Sequence, residues 1–165
     1  MKTIKIRKTV ILFDDEDEEL VMQHTWHIKR AYGGLLYART TLPNYGSSIY
    51  MHQLIMQPDE GQEVDHITHD GIVIDNRRSN MRLATRSQNH ANRRKLAGTS
   101  SKYKGVCWNG RGKWQAQITD NYKNKYLGVF LTQEEAAQAY NLAAKELFGE
   151  YAKLNVITQL DRSKL

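Results

Sequence analysis

The feature that most constrains this chain runs from Glu63 to His90. It begins Glu63-Val64-Asp65-His66-Ile67, passes through Asp75-Asn76-Arg77-Arg78-Ser79-Asn80, becomes extended again at Met81-Arg82-Leu83-Ala84, and ends in Ser87-Gln88-Asn89-His90. Val64 to Ile67 and Met81 to Ala84 are predicted strands, with turn-rich Thr68 to Ser79 looping back between them. Thr85 can cap a helix that continues through Arg94. Adjacent residues on a strand face opposite ways, so Asp65 can ligate a metal ion while His66 addresses a water beyond it. Asn89, on the first turns of the helix, can complete the metal's shell from the other side.

At 165 residues the chain has room for one ordinary domain or two small ones. No apolar run approaches the roughly 18 residues needed to cross a bilayer. The start, Met1-Lys2-Thr3-Ile4-Lys5-Ile6-Arg7-Lys8, alternates charged and apolar residues like a strand, and no signal peptide is expected. The single cysteine, Cys107, excludes an internal disulfide framework and a cysteine-rich zinc site, so a soluble, cytoplasmic protein without membrane attachment is expected. The net charge of +6 is unevenly spread. Residues 1–60 hold 7 Lys/Arg against 8 Asp/Glu, residues 61–101 hold 7 against 4, and residues 102–165 hold 10 against 6. The basic surplus begins at the motif, and nucleic acid is the obvious polyanion for it, although a solvated positive face has the same composition.

Before the motif, Thr3 to Phe13, Trp26 to Arg30 and Leu36 to Leu42 are predicted strands. The acids Asp14 to Glu19 open a helical turn between the first two, where they would offset the helix dipole. Ile49 to Met56 is a predicted buried helix ended by Pro58, with His52 expected as a packed residue that could lie near the site.

The segment from 58 to 95 resembles the ββα-metal fold of HNH nucleases, in the variant with asparagine at the third motif position; residues 1–57 resemble the leader that precedes it in phage-encoded homing endonucleases. The resemblance implies Asp65 as metal ligand, His66 as general base, Asn80 as the central asparagine and Asn89 as second metal ligand. Adjacent His90 is the alternative metal or phosphate contact, and His69 a surface or phosphate-contacting residue. Asn80 is expected to orient His66 or to tie the loop through backbone hydrogen bonds, a structural role in either case. Phosphodiester hydrolysis needs its barrier lowered by on the order of 20 kcal/mol, so stabilisation of transition-state charge is indispensable. Oxygen ligands suit one Mg²⁺ or Mn²⁺ per active site, and His66 can take a proton from the attacking water near neutral pH. Arg77, Arg78, Arg82, Arg86, Arg93 and Arg94 are candidate contacts to DNA phosphates, the last three on the predicted helix.

The region from 102 to 157 carries Tyr103-Lys104-Gly105-Val106, Gly112-Lys113-Trp114-Gln115-Ala116-Gln117-Ile118, Tyr126-Leu127-Gly128-Val129-Phe130 and a helix from Thr132 to Phe148. Trp114, Ala116 and Ile118 alternate inward while Lys113, Gln115, Gln117 and Thr119 face the other way. Ala136, Ala139, Tyr140, Ala143 and Leu147 offer the helix an inward face. These motifs resemble the plant ethylene-response-factor (Apetala-type) DNA-binding domain. The resemblance implies DNA-facing positions at Lys104, Cys107, Asn109, Arg111, Gln117, Thr119, Asn124 and Tyr126; Lys113 and Gln115 share that exposed face. Cys107, Asn109 and Arg111 depart from the plant pattern, so the plant target does not carry over. Trp108 is expected either to stack on sugar or to pack against the hairpin.

The expected fold is therefore α+β: a ββα-metal HNH nuclease domain followed by a three-stranded antiparallel sheet packed on one helix. The expected boundaries are a leader at 1–57, a core at 58–95, a linker at 96–101, the DNA-binding domain at 102–157 and a tail at 158–165. An extended tether from Lys95 to Ser101 would span at most roughly 25 Å, which places cleavage within about one to two DNA turns of the sheet's footprint. The implied function is site-specific cleavage of double-stranded DNA by a homing-type enzyme of a phage or mobile element, acting as a monomer or homodimer. A catalytically inactive DNA-binding regulator and a restriction or defence nuclease are the alternatives.

Overall fold

The alternating start of the chain pairs with itself. Lys2–Ile6 (β1) and Thr9–Phe13 (β2) form an antiparallel hairpin, which turns at Arg7 with φ of 55°, so the single strand expected from Thr3 to Phe13 is two. The computed structural model describes residues 1–42, 46–69, 71–95 and 98–157, and the chain divides into two units, Met1–Asn89 and His90–Leu165. The expected tail at 158–165, and residues 96 and 97 of the expected linker, lie outside the described residues. The architecture is mixed α+β with several small sheets.

In the first unit the acids lead into a short helix, Glu18–Met22 (α1). His27–Arg30 (β3), Leu36–Thr41 (β4) and Ser48–Tyr50 (β5) form an antiparallel sheet that leads into Met51–Met56 (α2). Gln62–His66 (β6) then pairs antiparallel with Met81–Thr85 (β8), in a register that sets Asp65 opposite Arg82 and His66 opposite Met81. Between them Val73–Asp75 (β7) runs parallel to β2. The sequence shows only a loop there, because three residues carry no periodicity and the partner strand lies some sixty positions away. Arg86–Asn92 (α3) follows β8 directly. It stops two residues short of the expected end, so Arg93 and Arg94 lie beyond the helix. Ile11, Phe13, Val21, Trp26, Met51, Ile55, Val64, Ile74 and Met81 form the buried core beneath these pieces.

In the second unit Val106–Trp108 (β9), Trp114–Asp120 (β10) and Lys123–Phe130 (β11) form an antiparallel sheet in the order β11, β10, β9. Gln133–Phe148 (α4) starts from a capping box: Thr132 Oγ1 accepts from the Glu135 N–H, and the Glu135 carboxylate accepts from the Thr132 N–H, both at 3.2 Å. Ala116 and Ile118 are buried as expected. On the helix, Ala136, Ala137, Tyr140, Ala143, Ala144 and Phe148 are buried, whereas Leu147 is 38% exposed. Phe148 takes the inward place expected of Leu147, one residue on.

Gly105 is required by close approach. With φ of +74°, a Cβ there would sit 2.0 Å from Tyr140 Cδ2 and 2.6 Å from the Gln117 carbonyl oxygen.

Candidate active site and candidate nucleic-acid interface

The pleat of β6 separates its two chemical side chains, and each is committed to a different partner. Asp65, 1% exposed, receives two hydrogen bonds on Oδ2 from Arg82, from Nε at 2.9 Å and Nη2 at 2.8 Å. His66, 4% exposed, has Nε2 2.9 Å from Asn76 Oδ1. Asn76 follows β7 and is held by its own N–H donating to the Leu12 carbonyl at 2.9 Å, so the leader sheet fixes the partner of His66.

Asn80 ties the loop. Its Oδ1 accepts from the Thr68 N–H at 3.0 Å and the Thr68 hydroxyl at 2.8 Å, while Nδ2 donates to the carbonyls of Thr68 at 3.2 Å and Asp75 at 3.0 Å. Of the two structural roles expected for Asn80, these bonds are those of the loop tie, and Asn76 is the residue in contact with His66. The sequence placed Asn76 inside the motif but offered no signal separating it from Asn80. Asn89 Nδ2 donates to Glu63 Oε2 at 2.6 Å.

A cavity of about 300 Å³ brings His66, Asn89 and Glu63 together with Tyr37, Tyr50 and His52; Asp65 does not line it. The His52 and His66 rings meet edge to face at 5.1 Å, His52 stacks on Tyr50 at 5.4 Å, and His66 lies 5.3 Å from His69. His69 is half-buried at the edge of this ring cluster. Burial pushes the His52 imidazole down to about 3, helped by the neighbouring His66 and His69. Burial also lowers His66, against the Asn76 contact and the charges of Asp65 and Asp75, which favour its protonated form. Tyr37 and Tyr50, from β4 and the end of β5, carry no sequence signal for a site.

The oxygen donors of Asp65 and Asn89 are of the kind a hard divalent cation takes. To offer them, Asp65 must share its carboxylate with Arg82, whereas the bond from Asn89 to Glu63 uses Nδ2 and not the amide oxygen. Among the described residues no group of three His, Cys, Asp or Glu side chains is disposed to hold a metal.

Three arginines expected on DNA phosphates are tied to carboxylates inside the first unit. Arg77 binds Asp75 through Nε at 2.8 Å and Nη2 at 2.6 Å. Arg78 binds Asp17 at 2.7 Å and Glu16 at 2.9 Å, and its N–H donates to Asp14 at 2.8 Å. Arg82 holds Asp65. Asp14, Glu16 and Asp17 of the acidic run thus receive Arg78, while Asp15 and Glu18 pair with the Met1 amine and Lys2, and Asp14 makes no side-chain cap. Arg86 remains exposed, with Nε 4.0 Å from Glu63. Arg93, Arg94 and His90 are exposed as well.

In the second unit the register sets Gln117 opposite Tyr126 and Thr119 opposite Asn124, which puts all four on one exposed face. Gln115 reaches Gln117 at 3.3 Å. Lys113 and Arg111 are exposed in the adjoining turn, where Asn109 Oδ1 accepts from the Arg111 N–H at 2.9 Å and the Lys113 N–H at 3.2 Å. Trp108, 46% exposed, packs edge to face on Trp114 at 5.1 Å.

Lys104 differs from its expected DNA-facing role. Its ammonium donates to the carbonyls of His90, Ala91 and Arg93, and burial, with Lys153 and Arg93 nearby, lowers it to about 8. Asn155 braces the same turn, accepting from the Lys104 N–H at 2.7 Å and donating to its carbonyl at 3.0 Å.

The chain is similar to an HNH endonuclease and to AP2-type DNA-binding proteins. Residues 101–150 match the family model of the AP2 domain. More particularly, the chain is 43% identical over 94 residues to an uncharacterized HNH endonuclease of Acanthamoeba polyphaga mimivirus, covering 57% of this chain and 47% of that protein. It is 42% identical over 62 residues to an AP2/ERF and B3 domain-containing transcription repressor of Arabidopsis thaliana, 38% of this chain and 17% of that one. An AP2-like ethylene-responsive transcription factor of the same plant is 41% identical over 131 residues, 76% of this chain and 19% of that protein. The chain thus spans about half the length of the viral relative and a fifth or less of these plant proteins. No helix among the described residues is long and apolar enough to cross a membrane.

Proposed function

We propose that the protein is a site-specific DNA endonuclease of the homing type, acting in the cytoplasm of a host cell and encoded by a phage or other mobile element. The observation that carries this is a buried imidazole, His66, held at 2.9 Å by Asn76 beside a cavity, in a chain that also has an AP2-like domain. His66 takes a proton from a water whose oxygen attacks phosphorus. The bond from phosphorus to the 3′-oxygen breaks, that oxygen takes up a proton, and the ends are 5′-phosphate and 3′-hydroxyl. Asn80 keeps the loop after β6 in shape, and Tyr37, His52 and His69 pack around the ring. One Mg²⁺ or Mn²⁺, with Asp65 and Asn89 as the proposed ligands, would supply charge neutralisation at the leaving oxygen when bound.

The exposed face of Gln115, Gln117, Thr119, Asn124 and Tyr126 is proposed to read the edges of bases in double-stranded DNA, since glutamine presents the donor and acceptor pair that adenine matches. Arg86, Arg93, Arg94, Arg111 and Lys113 supply phosphate contacts. A DNA-binding regulator without cleavage is the second reading, favoured by the pairing of Asp65 with Arg82.

Nicking of supercoiled plasmid carrying host or phage DNA separates the two. Mg²⁺-dependent nicking is expected from the wild type, abolished by EDTA and reduced about 10²- to 10⁴-fold in His66→Ala. No nicking by the wild type, or equal nicking by the variant, would favour the regulator or another base.

A further inference from the structure

We infer that Asn76 is a positioning residue that holds His66 in the tautomer with its proton on Nε2; its catalytic meaning rests on the hydrolytic role proposed for His66. An amide oxygen only accepts, so Asn76 Oδ1 at 2.9 Å calls for a proton on Nε2 and leaves Nδ1 as the basic nitrogen. The contact is sealed from solvent, with Asn76 0% and His66 4% exposed, so water does not substitute for the amide. It is also anchored: the Asn76 N–H donates to the Leu12 carbonyl at 2.9 Å, where β7 ends its pairing with β2.

The amide is retained at a cost. Its Nδ2 is buried with no hydrogen-bond partner, a state that native structures seldom keep without a reason. A leucine, branched at the same atom though bulkier, would remove that orphan, and what it would also remove is the acceptor. Turning the amide over does not relieve the cost, because it orphans the oxygen and sets Nδ2 against Nε2, burying the basic nitrogen. The two orientations thus differ in which ring nitrogen is left to take a proton. When Nδ1 takes one from water, Nε2–H remains on Asn76, and the bond strengthens because its donor is now charged.

The test uses the full chain with ¹⁵N-labelled histidine, observed by NMR at about pH 8, where an ordinary imidazole is neutral. His66 is assigned by the signal missing in His66→Gln. The wild type should show His66 with a protonated Nε2 in slow exchange with water and a bare Nδ1. Asn76→Leu should speed that exchange by at least about tenfold, and Asn76→Asp should keep it slow. A wild-type proton on Nδ1, or unchanged exchange in Asn76→Leu, would overturn the inference. The wild-type spectrum alone decides if Asn76→Leu does not fold. In nicking assays kcat should fall by about 10²-fold or more in Asn76→Leu with KM unchanged, and recover to within about tenfold in Asn76→Asp. Equal loss in both folded variants would also overturn it. The expected tautomer in a wild type that never nicks would support the positioning while removing the hydrolytic role.

Discussion

Lowering the pH from 7 to 5 should destabilise the first unit through His52, and the size follows from where that ring sits. His52 is 8% exposed, stacked on Tyr50 and meeting His66 edge to face, and its Nδ1 has no hydrogen-bond partner, so nothing compensates a charge there. Its folded-state value is about 3, against an ordinary 6.5 when the chain is unfolded. A group depressed in this way contributes stability above pH 6.5 and loses it as the pH falls toward 3. At pH 5 the folded ring is still neutral while the unfolded one has bound its proton, which favours the unfolded state by about 2 kcal/mol relative to pH 7. For a unit of this size that is a drop in Tm of about 8 to 16 °C. His66, lowered chiefly by burial, acts in the same direction. Calorimetric unfolding of wild type and His52→Met at both pH values isolates the His52 contribution, because every other titrating group is common to the pair. The variant should lose about 2 kcal/mol of the acid sensitivity. An equal drop in both proteins would refute the claim that His52 is buried and neutral.

Arg82→Leu should cost about 3–5 kcal/mol, because it removes the guanidinium from a carboxylate that is 1% exposed. Urea unfolding reads this loss, and partial recovery in Mg²⁺ is expected if Asp65 holds the cation; an unchanged midpoint would show the pair to be dispensable. Gly105→Ala should destabilise the second unit by about 3 kcal/mol or more, since it combines a left-handed backbone with a methyl group 2.0 Å from the Tyr140 ring, as read by circular dichroism. Gln117→Ala should cost about 1–3 kcal/mol in specific binding in titrations against a selected DNA site, with sequence preference relaxed, whereas Lys113→Ala should weaken binding to all sequences and lower its salt slope by about one. A Gln117 variant with unchanged preference would move the reading surface elsewhere.

The sequence by itself determined what depends on neighbours. Alternation set the pleat that turns Asp65 and His66 apart and the inward row of Ala116 and Ile118. The strand, loop, strand, helix order of the motif and the three-stranded sheet with its helix were legible for the same reason: periodicity and capping act over a few residues. Tertiary structure alone decided who partners whom. Arginines in a basic run look alike in sequence, yet Arg78 meets Asp17 across 61 positions and Arg82 meets Asp65 across 17, because strand register and the fold of the leader bring the carboxylates to them. Lys104 looks like a surface cation until the carbonyls of His90, Ala91 and Arg93, at and just beyond the end of α3, take up its ammonium. Asn76 and Asn80 are equivalent in composition and differ only in position: the parallel pairing of β7 with β2 carries one to His66 and leaves the other to hold the loop. Hydrogen bonds and ion pairs need contact within about 3 Å, and contacts between residues distant in the chain are set by packing and register rather than by local pattern.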